Sequence, residues 1–170
     1  MRRIRYVVAM SLDGYIAGPN GEADWIIMDP DVDFGALFKQ FDTVFLGRRA
    51  YEAMASTGNA LIPGMKTFVF SRTLLQSDHP EVTVIGENSE TVSAELRASS
   101  GKDIWLFGGG SLFRSLTQAG LVDAVEVAII PVLLGGGIPL LPTSVKRTKL
   151  TLTAHRIYKT GIVSLEYAVK

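Results

Sequence analysis

The sequence predicts a three-layer α/β sandwich with a mostly parallel central sheet and an antiparallel C-terminal edge hairpin, formed by residues 1–170 as a single domain. Three observations point to it. Apolar runs of strand length alternate with segments of helical spacing from Tyr6 to Ile130. The run Ile104-Trp105-Leu106-Phe107 stops in Gly108-Gly109-Gly110 and restarts as the amphipathic Ser111-Leu112-Phe113, which reads as strand, tight turn, helix. Beyond Pro131 the pattern changes: Leu150 to Ala154 and Ile162 to Tyr167 alternate around a turn at Lys159-Thr160-Gly161, the signature of an antiparallel hairpin.

The other elements follow in order. Tyr6-Val7-Val8-Ala9-Met10 is a buried-strand run. From Ser11 to Asp33 the chain is rich in Gly, Pro, Asn and Asp and carries Trp25, and a loop of that length suits a lid or binding loop. Phe34, Leu37, Phe38 and Phe41 have helical spacing, Thr43 to Gly47 reads as a strand, and Arg48 to Ser56 as a short helix. Lys66 to Ser71 and Val82 to Ile85 are further strands. Ser89 to Ser99 has helix-forming composition, capped by Asn88 or Ser89 and ended by Gly101. Leu112, Leu116 and Ala119 share one helix face. Asp123 to Ile130 is a strand, within which Glu126 is either half-exposed, the reading alternation favours, or points into the pocket.

Composition narrows the function. The 170 residues are 47% hydrophobic and 20% charged, enough for a substantial core. Net charge is zero and no Lys/Arg run occurs, which argues against nucleic acid or an anionic membrane as partner and for a small-molecule substrate. With no cysteine and two distant histidines, His79 and His155, no metal site is expected. The first apolar stretch breaks at Ser11-Leu12-Asp13-Gly14, too early for a signal-peptide core or a membrane span, so a cytoplasmic protein is expected.

Open α/β sheets bind ligands beyond the carboxyl ends of their strands, and three such places carry suggestive residues. Gly108-Gly109-Gly110 lets a ligand approach the backbone ahead of a helix whose free N–H groups favour an anion. Gly47-Arg48-Arg49 combines a close-approach glycine with two guanidiniums at a helix start, and Ser71-Arg72-Thr73 adds two hydroxyls and a third guanidinium. The G-x-G-x-x-G fingerprint after the first strand is absent. Two basic clusters and one glycine cradle suit a dinucleotide with an additional 2′-phosphate, NADPH rather than NADH.

In these motifs the chain resembles the dihydrofolate reductase-like superfamily, nearest in pattern to the reductase domain of the bifunctional riboflavin biosynthesis enzymes and its stand-alone relatives. The markers stand in family order over essentially the whole chain: Ser-Leu-Asp-Gly-Tyr-Ile-Ala at 11–17, Asp24-Trp25, Gly-Arg-Arg-Ala-Tyr-Glu at 47–52, Phe-Ser-Arg at 70–72, Gly-Gly-Gly-Ser-Leu at 108–112, and Pro131-Val132-Leu133-Leu134-Gly135. The resemblance implies that Val8, Ala9, Ile16 and Ala17 stand beside the nicotinamide, and Gly47, Arg48 and Arg49 on the phosphates. It implies Ser71 and Arg72 at the 2′-phosphate, and Gly108, Gly109, Gly110, Ser111 and Leu112 under the pyrophosphate. It further implies a cis Gly108–Gly109 bond and a homodimer. Ala50 departs from the threonine often found there.

For the reaction, the resemblance implies hydride transfer to a small heterocycle, with 5-amino-6-(5-phosphoribosylamino)uracil reductase as the nearest named activity. A dihydrofolate reductase and a non-catalytic nucleotide-binding protein are the alternatives, and no arginine is evident in the sequence for gripping a glutamate tail. The bifunctional enzymes carry a zinc deaminase domain, for which this chain has no cysteine; either the deaminase is separate or the substrate differs. Folate reductases place an acid a few residues after the tryptophan. Asp31 and Asp33 are the catalytic candidates here, while Asp33 also fits a helix N-cap, and Asp29 and Asp31 also fit turn residues around Pro30. Asp13 beside Gly14 fits a turn. Trp25 fits either a substrate-pocket wall or a loop anchor. The second triplet, Gly135-Gly136-Gly137, fits a substrate-side or interface loop.

Overall fold

The amino-terminal strand β1 (Ile4–Ser11) lies inside an eight-stranded sheet, and the rest of the chain is arranged on either side of it. In this computed structural model residues 1–59, 61–143 and 147–170 are described. The further strands are β2 (Tyr15–Ala17), β3 (Phe41–Gly47), β4 (Lys66–Phe70), β5 (Thr83–Ile85), β6 (Asp103–Gly108), β7 (Ala124–Ile130), β8 (Ile138–Pro139), β9 (Leu150–Ile157) and β10 (Val163–Val169). The main sheet has the order β5-β4-β3-β6-β1-β7-β10-β9, and β2 pairs with β8 apart from it. From β5 through β7 all pairings are parallel; β10 runs antiparallel to both β7 and β9, the expected carboxyl hairpin.

Among the described residues four α-helices cover the sheet: α1 (Phe34–Phe38), α2 (Arg48–Ser56), α3 (Ser89–Ala98) and α4 (Gly110–Gln118). Strand alternation sorts side chains between two cores. Ile104 and Leu106 of β6 join Ile4, Tyr6 and Phe45 under Leu112, Phe113 and Leu116 of α4, with Leu96 of α3 at the margin. Trp105, on the opposite face of β6, joins Val44, Leu46 and Val69 under Tyr51 of α2, with Leu37 of α1 at the margin. The central strands are apolar on both faces because helices lie on both sides, giving the three layers.

Two local expectations need correction. Asn88 is the N-cap of α3, one of the two expected positions, but it stands in the left-handed region at φ 56° and its side chain makes no capping bond. Glu126 is 8% exposed rather than half exposed, because its face of β7 meets Arg5 of β1 instead of water. Within the long Ser11–Asp33 loop, β2 is the only strand among the described residues.

Candidate functional site

At one end of the sheet the strand order β4-β3-β6 sets three turns side by side, about 4.8 Å from strand to strand. Gly47 ends β3 and is the N-cap of α2; Gly109 is the N-cap of α4. Neither helix start has a side-chain cap, so two sets of first-turn N–H groups remain open to an anion. The two starts are close: a Cβ on Gly47 would lie 3.4 Å from the Gly109 nitrogen. Gly108 has φ 136°, a conformation that requires glycine, and the Gly108–Gly109 bond is cis. A Cβ on Gly109 would meet nothing within 4 Å, so the space over the turn is open, whereas one on Gly110 would lie 2.8 Å from Pro142 Cδ and 2.9 Å from the Pro139 carbonyl oxygen. Leu112 is buried behind this turn and Ser111 is exposed at its rim.

The arginines around this cradle differ. Arg48 pairs with Glu52 at 3.1 Å along the surface of α2, while Arg49 and Arg72 are exposed and form no ion pair among the described residues. Ser71, just after β4, is buried, and its hydroxyl accepts from the amides of Thr73 (3.2 Å) and Leu74 (3.0 Å), which fixes the turn that presents Arg72. The cradle fits a dinucleotide phosphate group: paired open helix starts, a glycine turn with free space above it, and unpaired guanidiniums.

Beside it, a cavity of about 400 Å³ opens between α1, the 26–33 loop and the carboxyl hairpin, with β1, β7 and β10 as its floor. Val8 and Ala9 line it, so the strand next to the glycine turn also forms a cavity wall. Its walls are mostly apolar, with Asp29, Asp33, Glu126, Arg156 and Glu166 as the charged exceptions. Glu126 is held by Arg5, whose Nε donates to Oε1 at 2.5 Å and Nη2 to Oε2 at 2.8 Å. Burial alone would lower the Arg5 pKa, but its bonds to Glu126 and Asp103 outweigh burial and raise it. The glutamate is therefore a fixed, neutralised carboxylate. Glu166 stands opposite it across β7 and β10, exposed and without an ion pair among the described residues.

The three acids after Trp25 in the long loop separate cleanly. Asp33 lines the cavity and also caps α1, one carboxylate oxygen accepting from the Ala36 amide at 2.8 Å. Asp31 is exposed and lies outside the lining. Asp29 is 3% exposed and accepts from the Thr160 hydroxyl (2.7 Å), the Thr160 amide (3.2 Å) and the Asp31 amide (2.9 Å), clasping the loop to the hairpin tip. The Thr160 hydroxyl is the main cause of its lowered pKa. Trp25 is half-buried and donates from Nε1 to the Glu22 carbonyl at 3.0 Å; Ile26, Ile27 and Met28, not Trp25, reach the cavity.

Ile16 and Ala17 sit on β2, held by the second glycine triplet. A Cβ on Gly137 would lie 2.2 Å from the Ala17 carbonyl oxygen, and Asp13 accepts from the amides of Leu134 (3.1 Å) and Gly135 (2.7 Å). Within that triplet only Gly137 is closely packed, since a Cβ on Gly135 or Gly136 would meet nothing within 4 Å. Sequence reasoning missed Arg5 and Arg156 and placed a pocket-facing Glu126 only second, because each belongs to a strand whose partners are distant in the chain. The one available signal was a charge inside an apolar run. Among the described residues no group of three or more His, Asp or Glu side chains is placed to hold a metal, and no helix is long and apolar enough to cross a membrane.

This sheet order, helix arrangement and pairing of cradle with cavity define a dihydrofolate reductase-like α/β sandwich. The chain belongs to the RibD C-terminal domain family, whose pattern it matches over residues 2–164. It is 36% identical over 178 residues to the uncharacterized protein YyaP of Bacillus subtilis (strain 168), covering 98% of this chain and 94% of that one. Its fold matches a crystal structure of a putative riboflavin biosynthesis protein from Shewanella sp. PV-4 with a TM-score of 0.85 and 26% identity, over 100% of this chain and 99% of the other. A dihydrofolate reductase from Enterococcus faecalis, solved with NADP(H), matches with a TM-score of 0.73 and 18% identity, over 99% and 96%. Family and fold together mark a reductase-like domain.

Proposed function

We propose that the protein is an NADPH-dependent reductase that transfers a hydride to a small heterocyclic substrate, with 5-amino-6-(5-phosphoribosylamino)uracil reductase as the nearest named activity. The observation that carries this reading is the pair of uncapped helix starts at Gly47 and Gly109, set beside a cavity that shares β1 with them. Their amides and the glycine turn would hold the pyrophosphate, and Arg49 and Arg72 would favour a 2′-phosphate. When bound, the cofactor supplies the hydride. Val8 and Ala9 form the wall that orients the reacting ring, the apolar lining excludes water, and Asp33 is the carboxylate positioned to pass a proton toward the substrate. Of the two catalytic candidates, Asp33 is preferred to Asp31 because Asp33 lines the cavity and Asp31 does not.

Thermal unfolding with and without cofactor tests this. NADPH at a hundred times its dissociation constant stabilises the fold by about 2.7 kcal/mol, with a smaller effect from NADH at the same concentration. Equal effects would remove the 2′-phosphate assignment, and no effect from either would sink the reductase reading. A homodimer is proposed as well; light scattering checks whether the solution mass is twice 18.4 kDa.

A further inference from the structure

The hairpin wall of the cavity contains a guanidinium whose N–H donors bond to no carboxylate among the described residues. Among the described residues Arg156, on β9, is the one cationic side chain lining the cavity, is exposed, and forms no ion pair. Its guanidinium carbon lies 4.6 Å from the centroid of the Tyr158 ring, a cation–π contact that orients it without occupying its N–H donors. Its charge reaches Asp29, but that carboxylate is already taken by Thr160 and the Asp31 amide.

Strand register fixes where Arg156 stands relative to the reacting end. Ala9 pairs with Ala128, Ala128 with Ser164, and Ser164 with Arg156, so one row crosses β1, β7, β10 and β9 on the cavity face. All four residues line the cavity. Three strand spacings separate Ala9 from Arg156, about 14 Å. The side chains between are one alanine and one serine, which leave that depth open to a ligand.

We propose that Arg156 is a specificity-determining residue that grips an anionic tail, phosphate or carboxylate, carried by the substrate at about that distance from its reducible ring. The assignment rests on the cavity being the substrate site of the proposed reductase. It gives the site a polarity, with the ring on the β1 side against the small residues and the acid on β9.

Two matched probe pairs test it by calorimetry on the NADPH-saturated protein: 5-amino-6-ribitylaminouracil with its 5′-phosphate, and folate with its glutamyl dimethyl ester. The charged member of at least one pair is expected to bind about tenfold or more tighter than its partner. The pair that shows the difference identifies phosphate or carboxylate as the tail. Arg156→Ala should abolish that difference while leaving the uncharged probe's affinity unchanged, and Arg156→Lys should restore part of it. Because β9 is an exposed edge, the variants are expected to fold, with the NADPH-induced rise in unfolding temperature as the control. Equal binding within both pairs, no binding by any probe, or a preference that survives in Arg156→Ala overturns the proposal. A preference lost in Arg156→Ala in a protein that NADPH fails to stabilise would keep the Arg156 assignment and overturn the reductase reading instead.

Discussion

The cradle at the ends of β4, β3 and β6 and the cavity over β1, β7 and β10 are built on opposite principles. The cradle uses backbone: helix starts, a glycine turn and a serine that ties down its own loop, all within a few residues of a strand end. The cavity uses side chains brought together from far apart in the sequence, with Arg5 meeting Glu126 across 121 positions and Asp29 meeting Thr160 across 131. A site made of backbone tolerates changes in side chains; one made of long-range side-chain pairs does not. The difference also matches the division of labour, since every substrate of a cofactor-dependent family meets the same phosphates but a different ring.

The sharpest way to break the cavity is Glu126→Ala, which leaves a buried Arg5 guanidinium without its main partner. A loss of about 3–5 kcal/mol is expected in urea unfolding, and replacing both residues by an apolar pair should recover most of it. Next comes Asp33→Asn, which keeps a capping oxygen for Ala36 while removing the carboxylate. Turnover with a reducible heterocycle should fall about a hundredfold with no change in unfolding midpoint; unchanged turnover would leave Asp33 only as a cap. Gly137→Ala forces a side chain into the left-handed region and against the Ala17 carbonyl, and is expected to cost about 2 kcal/mol or more. On the cradle side, Arg72→Ala should weaken NADPH about tenfold and NADH hardly at all, since an exposed guanidinium contributes through one phosphate contact.

The smallest effect concerns the clasp. Asp29 has a pKa held below the ordinary carboxylate value, so its contribution to stability is complete above that value and is lost as pH falls through the lower, folded-state one. Asp29→Asn should flatten that acid limb of the stability profile, which a pH series of melting curves would register.

Legibility in the sequence followed the same division. Gly47, Gly108 and the helix over Arg48–Ser56 were readable because a strand, a turn and a helix start are consecutive in the chain. The hairpin was readable from its period of two. Glu126 was misjudged because alternation says which face a residue occupies but not what the neighbouring strand places there. Asp29, Asp31 and Asp33 could not be told apart by spacing alone, since the tip of a hairpin more than a hundred residues later decides that one is clasped and another free. Arg156 carried no local signal at all; its place comes from register across four strands.

The central position of β1 has a consequence for the chain as it is made. Ile4 pairs with Ile104 and Arg5 with Ala124, so during synthesis this strand has no sheet neighbour until a hundred residues more have followed. At typical synthesis rates that is a wait of roughly 5 to 20 seconds for the aggregation-prone run Tyr6-Val7-Val8-Ala9-Met10. Arg2, Arg3 and Arg5 flank that run as charged gatekeepers during the wait. In the finished fold each is answered by a carboxylate: Arg2 by Asp42, Arg3 by Asp103 and Arg5 by Glu126. Residues that keep the nascent strand soluble thus become the ion pairs that lock it in place.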